Sequence, residues 1–342
     1  MKKNLRNLLA VGLGLITTVA FAQTWDVDSR TRMDMSDANG DGNQVKSTDQ
    51  RVTLSADWEG DGYNIHVSSD VNYTLGMNSD VSMSIYEAYA TADFMGATFG
   101  AGRVALNMGS GALMSSNDWG ANRTTWEGLG FNYDLGMADI WVGYHRQNLD
   151  TATGHATGGA DEGNMWVNAA GEMSGFNWNI LYMTDEGKDN AATGIDVWGE
   201  VMGANVMLSM NTDHDENTMR MIGASYEVMD NMSINLSQTV YSEDSDFRME
   251  GTSMDGTYGV TGNLGYLPAG SENLSYGLDY NMGDLTLGAT MHNITNSTDE
   301  SVDRSITEIS LGYSINDNAG LSVSMANEDD VKYMWMTLNV GL

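Results

Sequence analysis

Five arginines and one glutamate stand where charge could act on a passing solute. Arg30, Arg32, Arg51 and Arg103 fall on the polar faces of alternating segments near the N-terminus, Arg123 opens a later segment, and Glu87 lies between them as a counter-charge. A guanidinium group keeps its proton in a protein, and arginines facing carboxylates set up a transverse field that screens solutes by charge and size. The same arginines could instead pair with Asp26, Asp28, Asp57 and Asp70 and simply hold a polar wall together. The spacing leaves both readings open.

A second group of oxygens is more local. Asp37-Ala38-Asn39-Gly40-Asp41-Gly42 follows the first half of a calcium loop, so Asp37, Asn39 and Asp41 are candidate Ca2+ ligands. Position twelve of that loop is Thr48 rather than a bidentate Glu, and Asn-Gly and Asp-Gly are also ordinary turn formers. The five histidines, His66, His145, His155, His214 and His292, show no zinc or haem spacing, and Asp213-His214-Asp215 are neighbours that a strand would turn to opposite faces. No glycine-rich phosphate loop is present. The sequence therefore predicts no enzyme and no cofactor apart from possible Ca2+ at a loop.

These residues must be positioned by strands. At the C-terminus Met334, Met336, Leu338, Val340 and Leu342 point one way and polar residues alternate with them. The same period recurs over 25–35, 51–58, 63–73, 82–94, 98–108, 123–133, 139–148, 164–173, 176–184, 194–202, 205–212, 217–228, 232–242, 273–281, 285–294, 305–314, 321–326 and 331–341, eighteen segments in all. Their connections alternate strictly between short and long. Trp25, Trp58, Tyr63, Phe94, Tyr133, Phe176, Tyr226 and Tyr280 gather at the short-turn end as an interfacial girdle would. The methionines Met83, Met108, Met219, Met221, Met325, Met334 and Met336 occupy apolar-alternating positions suited to the outer face. The expected fold is all-β: a transmembrane antiparallel up-and-down β-barrel of about 18 strands, with short periplasmic turns, longer extracellular loops and both termini periplasmic. The glycine-rich stretch 109–122 and the longest loop, 243–272, are the two candidates for folding inward as a constriction.

The first residues place the chain. Lys2, Lys3 and Arg6 precede an apolar run from Leu8 to Ala20 and an Ala20-Phe21-Ala22 cleavage signal, so residues 1–22 read as a secretory signal cut between Ala22 and Gln23. Residues 23–342 then form one barrel domain. Its 12 Lys and Arg against 47 Asp and Glu give a net charge of −35, which argues against nucleic acid as a partner. There are no cysteines, and 40 glycines accompany a single proline, as many tight turns between uninterrupted ladders require.

One stretch has a more specific likeness. Glu87-Ala88-Tyr89-Ala90, Gly102-Arg103, Asp118-Trp119 and Arg123-Thr124-Thr125-Trp126-Glu127-Gly128 resemble the alginate export family of outer-membrane porins, with its E/Q-A-Y strand, a turn, G-R-x-x-L-x-x-G, a loop with a D-W pair and R-T-x-D-G. The resemblance implies an eighteen-stranded barrel in the outer membrane of a Gram-negative bacterium. It also implies that lumen arginines help define the solute path. Glu127 replaces the family's Asp, and so acidic a chain suits a cation-tolerant or cation-preferring pore better than an anionic polysaccharide. The expected partners are membrane lipid and small hydrophilic solutes or ions. The alternative is a non-conducting structural or adhesion barrel whose acidic loops bind divalent cations or surface partners.

Overall fold

The structure is a computed structural model that describes residues 22–37, 46–76, 81–117, 123–148, 163–255, 264–328 and 331–341. Eighteen strands run in chain order. They are β1 Ala22–Asp34, β2 Ser47–Gly60, β3 Tyr63–Thr74, β4 Ser82–Phe94, β5 Ala97–Val104, β6 Thr125–Asp134, β7 Ala138–Asn148, β8 Asn164–Met173 and β9 Phe176–Asp185. They continue as β10 Ala192–Val201, β11 Ala204–Thr212, β12 Thr218–Met229, β13 Met232–Tyr241, β14 Ser271–Met282, β15 Leu285–Asn296, β16 Arg304–Asn316, β17 Ala319–Glu328 and β18 Val331–Gly341. Each pairs antiparallel with its sequence neighbours, and β1 also pairs with β18, so the sheet closes on itself. Met33 faces Met336 and Thr31 faces Leu338 across that seam. A 3₁₀ turn, Glu300–Val302, lies in the connection between β15 and β16.

At one end every connection between strands spans two or three residues. Met95-Gly96, Ser174-Gly175 and Met202-Gly203 each hold both turn residues at positive φ, the type I′ geometry whose twist matches that of the flanking strands. At the other end the connections are mostly longer. The expected alternation of short and long connections holds as far as β17, whereas only two residues join β17 to β18.

Register divides each strand into two faces. One carries Leu54, Ile65, Phe99, Leu129, Ile195, Leu236 and Leu338, all exposed and all apolar, and this is the outer face. The girdle aromatics lie on it, with Trp25 edge-on to Trp58 and Phe99 packed against both Phe94 and Phe131. Met83, Met325, Met334 and Met336 also share it. Met219 and Met221 do not. They sit opposite Asn211 and Ser209, on the inner face, because Ile222, Ala224 and Tyr226 take the outer positions of β12.

Two loops fold inward, and together they build the apolar core inside the barrel. Residues 105–117 bring Leu106, Leu113 and Met114, and the connection after β13 brings Phe247, Met249 and Leu267, against Trp126, Trp166, Leu181, Met183 and Ile306 of the wall. The sequence segment 98–108 reads as one strand, but β5 stops at Val104 because the chain turns into the lumen there.

β5 contains one backbone position that only glycine fits. Gly102 has φ +134°, and a Cβ there would lie 2.2 Å from the Ala88 carbonyl oxygen and 2.6 Å from Tyr89 Cα. Gly102→Ala should therefore cost about 2 kcal/mol or more of barrel stability, read as a lowered urea midpoint for the folded chain. Gly136→Ala, in a turn with open space around it, should cost less than half as much.

Candidate functional site

Charged residues gather on the inner wall of the first strands, where the far end of the first inward loop is tied to β3. Arg30 and Arg51 are direct register partners, and Arg32 is opposite Asp49. Their inner position follows from Asp70 and Thr53, which are almost fully buried and share the same face. Three of the sequence-nominated arginines are thus brought together on adjacent strands.

Arg123 reaches the same wall from the far end of the first inward loop. Its Nε donates to Asp70 Oδ2 at 3.0 Å and its Nη2 to Asp70 Oδ1 at 2.5 Å, while Thr53 Oγ1 donates to Asp70 Oδ1 at 2.7 Å. The guanidinium lies 3.3 Å from the centre of the Tyr86 ring. Tyr86 Oη meets Ser116 Oγ at 3.2 Å, and Ser116 Oγ donates to the Thr124 carbonyl. This knot fastens the loop to β2, β3 and β4.

Sequence reasoning missed Tyr86. A β-bulge between Ser68 and Ser69 of β3 and the facing residues of β4 puts Tyr86 and Glu87 in succession where one residue would fit. The available signal was the run Tyr86-Glu87, two polar-tipped neighbours in a strand that otherwise alternates. Glu87 does not face the arginines. Its Oε1 accepts from the Ala105 N–H at 2.9 Å, and its Oε2 lies 3.7 Å from His66 Nε2. His66 Nδ1 is also 2.8 Å from Asp57 Oδ1, and its ring stacks on Tyr89.

Arg103 departs from its expected place. It pairs in register with Ala88 and Glu127, and Ala88 pairs with Val67, on the outer face of the sheet. It is ion-paired to Glu127, with its Nε donating to Glu127 Oε1 at 2.7 Å, and its Nη1 donates to the Ile85 carbonyl at 2.7 Å. The run Gly100-Ala101-Gly102 before it carries no side chain large or polar enough to reveal its face. The two motif residues, Arg103 and Glu127, are therefore partners of each other rather than of the lumen cluster.

The loops are locked to each other. Ser115 Oγ accepts from the Ser253 N–H at 2.8 Å, and Tyr266 Oη donates to the Ala112 carbonyl at 2.7 Å. Burial pushes the Tyr266 phenol far above its usual pKa. On the wall side, the Ser110 N–H donates to Asp196 Oδ2 at 3.0 Å. Asp213 accepts from the backbone N–H groups of Asp215, Asn217 and Arg248, and His214 Nδ1 meets the Asn190 carbonyl, so this acidic loop is a structural turn. Asp37 forms a bridge to Lys332, whereas Asn39 and Asp41 lie outside the described residues, as does Leu342. β1 begins at Ala22, and residues 1–21 are likewise outside the described part.

A closed eighteen-stranded barrel with a charged inner wall and two loops packed into its bore is the class that this geometry defines. No model of a known protein family matches the chain, and no curated protein matches it. Solved structures do. The Pseudomonas aeruginosa outer membrane protein opdK shares 12% identity over 94% of this chain and 100% of its own, with a TM-score of 0.76. P. aeruginosa OccK11 (OpdR) shares 12% identity over 94% and 96%, with a TM-score of 0.75. Acinetobacter baumannii OccAB2 shares 13% identity over 95% and 99%, with a TM-score of 0.75. At such identities the likeness is one of fold.

Two outcomes test the knot and the lock. Arg123→Gln strands the buried Asp70 carboxylate and should destabilise the chain by about 3–5 kcal/mol, with Asp70→Asn in the same molecule recovering most of the loss, as measured by urea refolding. Tyr266→Phe should cost about 1 kcal/mol. A phenol whose folded pKa is raised gives stability that is fully present below the unfolded value of about 10 and is lost as pH rises from there through the folded one. The lock should therefore hold up to about pH 10, with proteolysis of the second inward loop unchanged across that range.

Proposed function

We propose that this chain is an outer-membrane porin. Ions and small hydrophilic solutes cross it by passive diffusion, with a preference for cations. The observation that carries the reading is the closed sheet itself. Its outer face is apolar, its inner face holds acids and arginines on adjacent strands, and a cavity of about 880 Å³ remains beside the inward loops. A barrel with that distribution of polarity buries its backbone bonds in lipid and keeps a wet interior. The likeness of fold to outer membrane protein opdK supports the same reading, and P. aeruginosa OpdK has also been solved with vanillate, which makes a small organic solute a reasonable cargo class.

On this reading, residues 1–22 are removed as a signal, both termini lie in the periplasm and the long loops face outward from a Gram-negative cell. Ca2+ at Asp37, Asn39 and Asp41 belongs to the same proposal. Kinship with alginate exporters rests on the motif residues alone, and the excess of carboxylates favours cations over a polyanionic cargo. Arg30, Arg32 and Arg51, with Arg123 behind them, are the residues proposed to limit that preference. Glu87 and Arg103 shape the wall beside them.

A second reading is favoured by one specific observation. The two loops pack an apolar cluster inside the bore, as a non-conducting structural or adhesion barrel would require. Planar-bilayer recording separates the two. The porin reading expects discrete conductance steps and a reversal potential on the cation side. Protein that inserts yet never conducts would establish the second reading, and strong anion preference would overturn the cation assignment. Arg30→Gln with Arg51→Gln should raise the cation-to-anion permeability ratio about twofold.

A further inference from the structure

The inner wall away from the arginines has a different chemistry, and its register gives it a shape. Following hydrogen-bonded partners from β10 to β15, one oblique row reads Trp198, Met207, Gly223, Ser237, Ser275 and His292. The row beside it begins Glu200, Asn205, Ser225, Asn235 and ends at Gly277 and Thr290. All twelve residues line the same 880 Å³ cavity. They face inward because Trp198 lies two residues from Asp196, which binds the inward loop. Five interstrand steps make a groove roughly 24 Å long. Gly223 and Gly277 deepen it by lacking side chains, and residues of both inward loops, Ser110, Met254 and Leu264 among them, roof it.

The groove has hydroxyl and amide groups along its length and one lining carboxylate, Glu200, at its short-turn end, while Asp279 and Glu308 touch it through Asn235 and His292. Trp198 is 40% exposed beside Glu200, and among the described residues its ring stacks on no other aromatic. Further up, Asn273 is 94% buried against the same cavity, and among the described residues its Oδ1 accepts no hydrogen bond. Its Nδ2 donates to Ser275 Oγ, and Ser275 Oγ meets His292 Nδ1 at 2.7 Å. An unpaired buried acceptor is costly unless a ligand or water supplies the donor.

We propose that this groove is a binding track for a linear neutral oligosaccharide, the solute class that the pore proposed above would select; the assignment rests on that reading. A sugar ring offers an apolar C–H face for an exposed indole, and a ring of hydroxyls that both donate and accept, as Ser, Thr and Asn do. A neutral chain leaves no buried charge without a partner along a wall that has no cation to offer. An extended oligomer matches an extended groove, and its hydroxyls supply the donor that Asn273 Oδ1 lacks.

The test uses the full chain in planar bilayers, with maltotriose and cellotriose as probes. At least one should block the ion current saturably, at a half-blocking concentration tenfold or more below that of glucose. A polyethylene glycol of the same mass should give no saturable block. Trp198→Ala should raise the half-blocking concentration fivefold or more, Trp198→Phe should restore most of it, and Trp178→Ala, on the outer face, should leave it unchanged. A conducting channel that neither trisaccharide blocks, or a block indifferent to Trp198→Ala, would overturn the proposal and leave the porin reading intact. If the protein inserts without conducting, titration calorimetry in detergent tests the groove alone. Trisaccharide binding lost in Trp198→Ala supports it, and no binding overturns it.

Discussion

A sheet with an apolar outer face can leave no backbone edge unpaired, and the rest of this structure depends on that constraint. β1 satisfies it by pairing on both sides, with β2 and with β18. Once the sheet is closed, register assigns every residue of every strand to one face or the other, so the composition of the lumen follows from closure. The type I′ turns at the short end keep that register from slipping, because a two-residue turn with both φ values positive admits only one alignment of its strands.

The constraint is most strained where β5 ends early. The upper part of β4 then loses its partner, and side chains take over from the ladder. Arg103 donates to the Ile85 carbonyl, Ser68 Oγ accepts from the Glu87 N–H, and Glu87 Oε1 accepts from the Ala105 N–H. Glu127 neutralises Arg103 on the outer face. The charged residues of this region therefore do two things: they complete the wall and they start the loop on its way inward. Arg123, held by Asp70 over Tyr86, fixes the far end of the same loop. An inward loop needs this support because its ends leave a gap in the sheet's ladder of backbone bonds.

Much of this was legible in the sequence. Alternation has a period of two, each segment repeats it several times, and short turns carry Gly after a positive-φ residue, so strand number and the order of long and short connections could be read directly. Arg30, Arg32 and Arg51 could be placed because Val27, Val52 and Leu54 mark the opposite face. Arg103 could not, since glycine and alanine beside it give no sense of inside and outside. Met219 and Met221 misled for a related reason: an apolar side chain in a barrel strand is assumed to face outward, and an apolar plug inside the lumen reverses the preference. Both inward loops could be nominated from length and glycine content. Their mutual lock through Ser115, Ser253 and Tyr266 joins residues far apart in sequence, and nothing local encodes it.

The two walls of the lumen have a common origin in these loops. The first loop leaves the wall at β5 and returns at β6, and its anchors need charge, so Arg123 at the loop's end meets Asp70 of β3, and Glu87 of β4 holds its start. Across the bore the loops lean on β9 to β16 through apolar contacts and single hydrogen bonds, such as Ser110 to Asp196 and Ser209. That wall has no gap to repair, so hydroxyls and amides make up most of it, with Asp196 and Glu200 among them, and glycines can be spared for space. A solute in the bore then meets a fixed field on one side and an array of hydroxyls and amides on the other. Field strength falls with distance and salt, whereas hydrogen bonds and ring contacts act only at touching range. On the porin reading proposed above, charge would govern which solutes approach, and the hydroxyl and amide wall would govern which of them stay long enough to be distinguished.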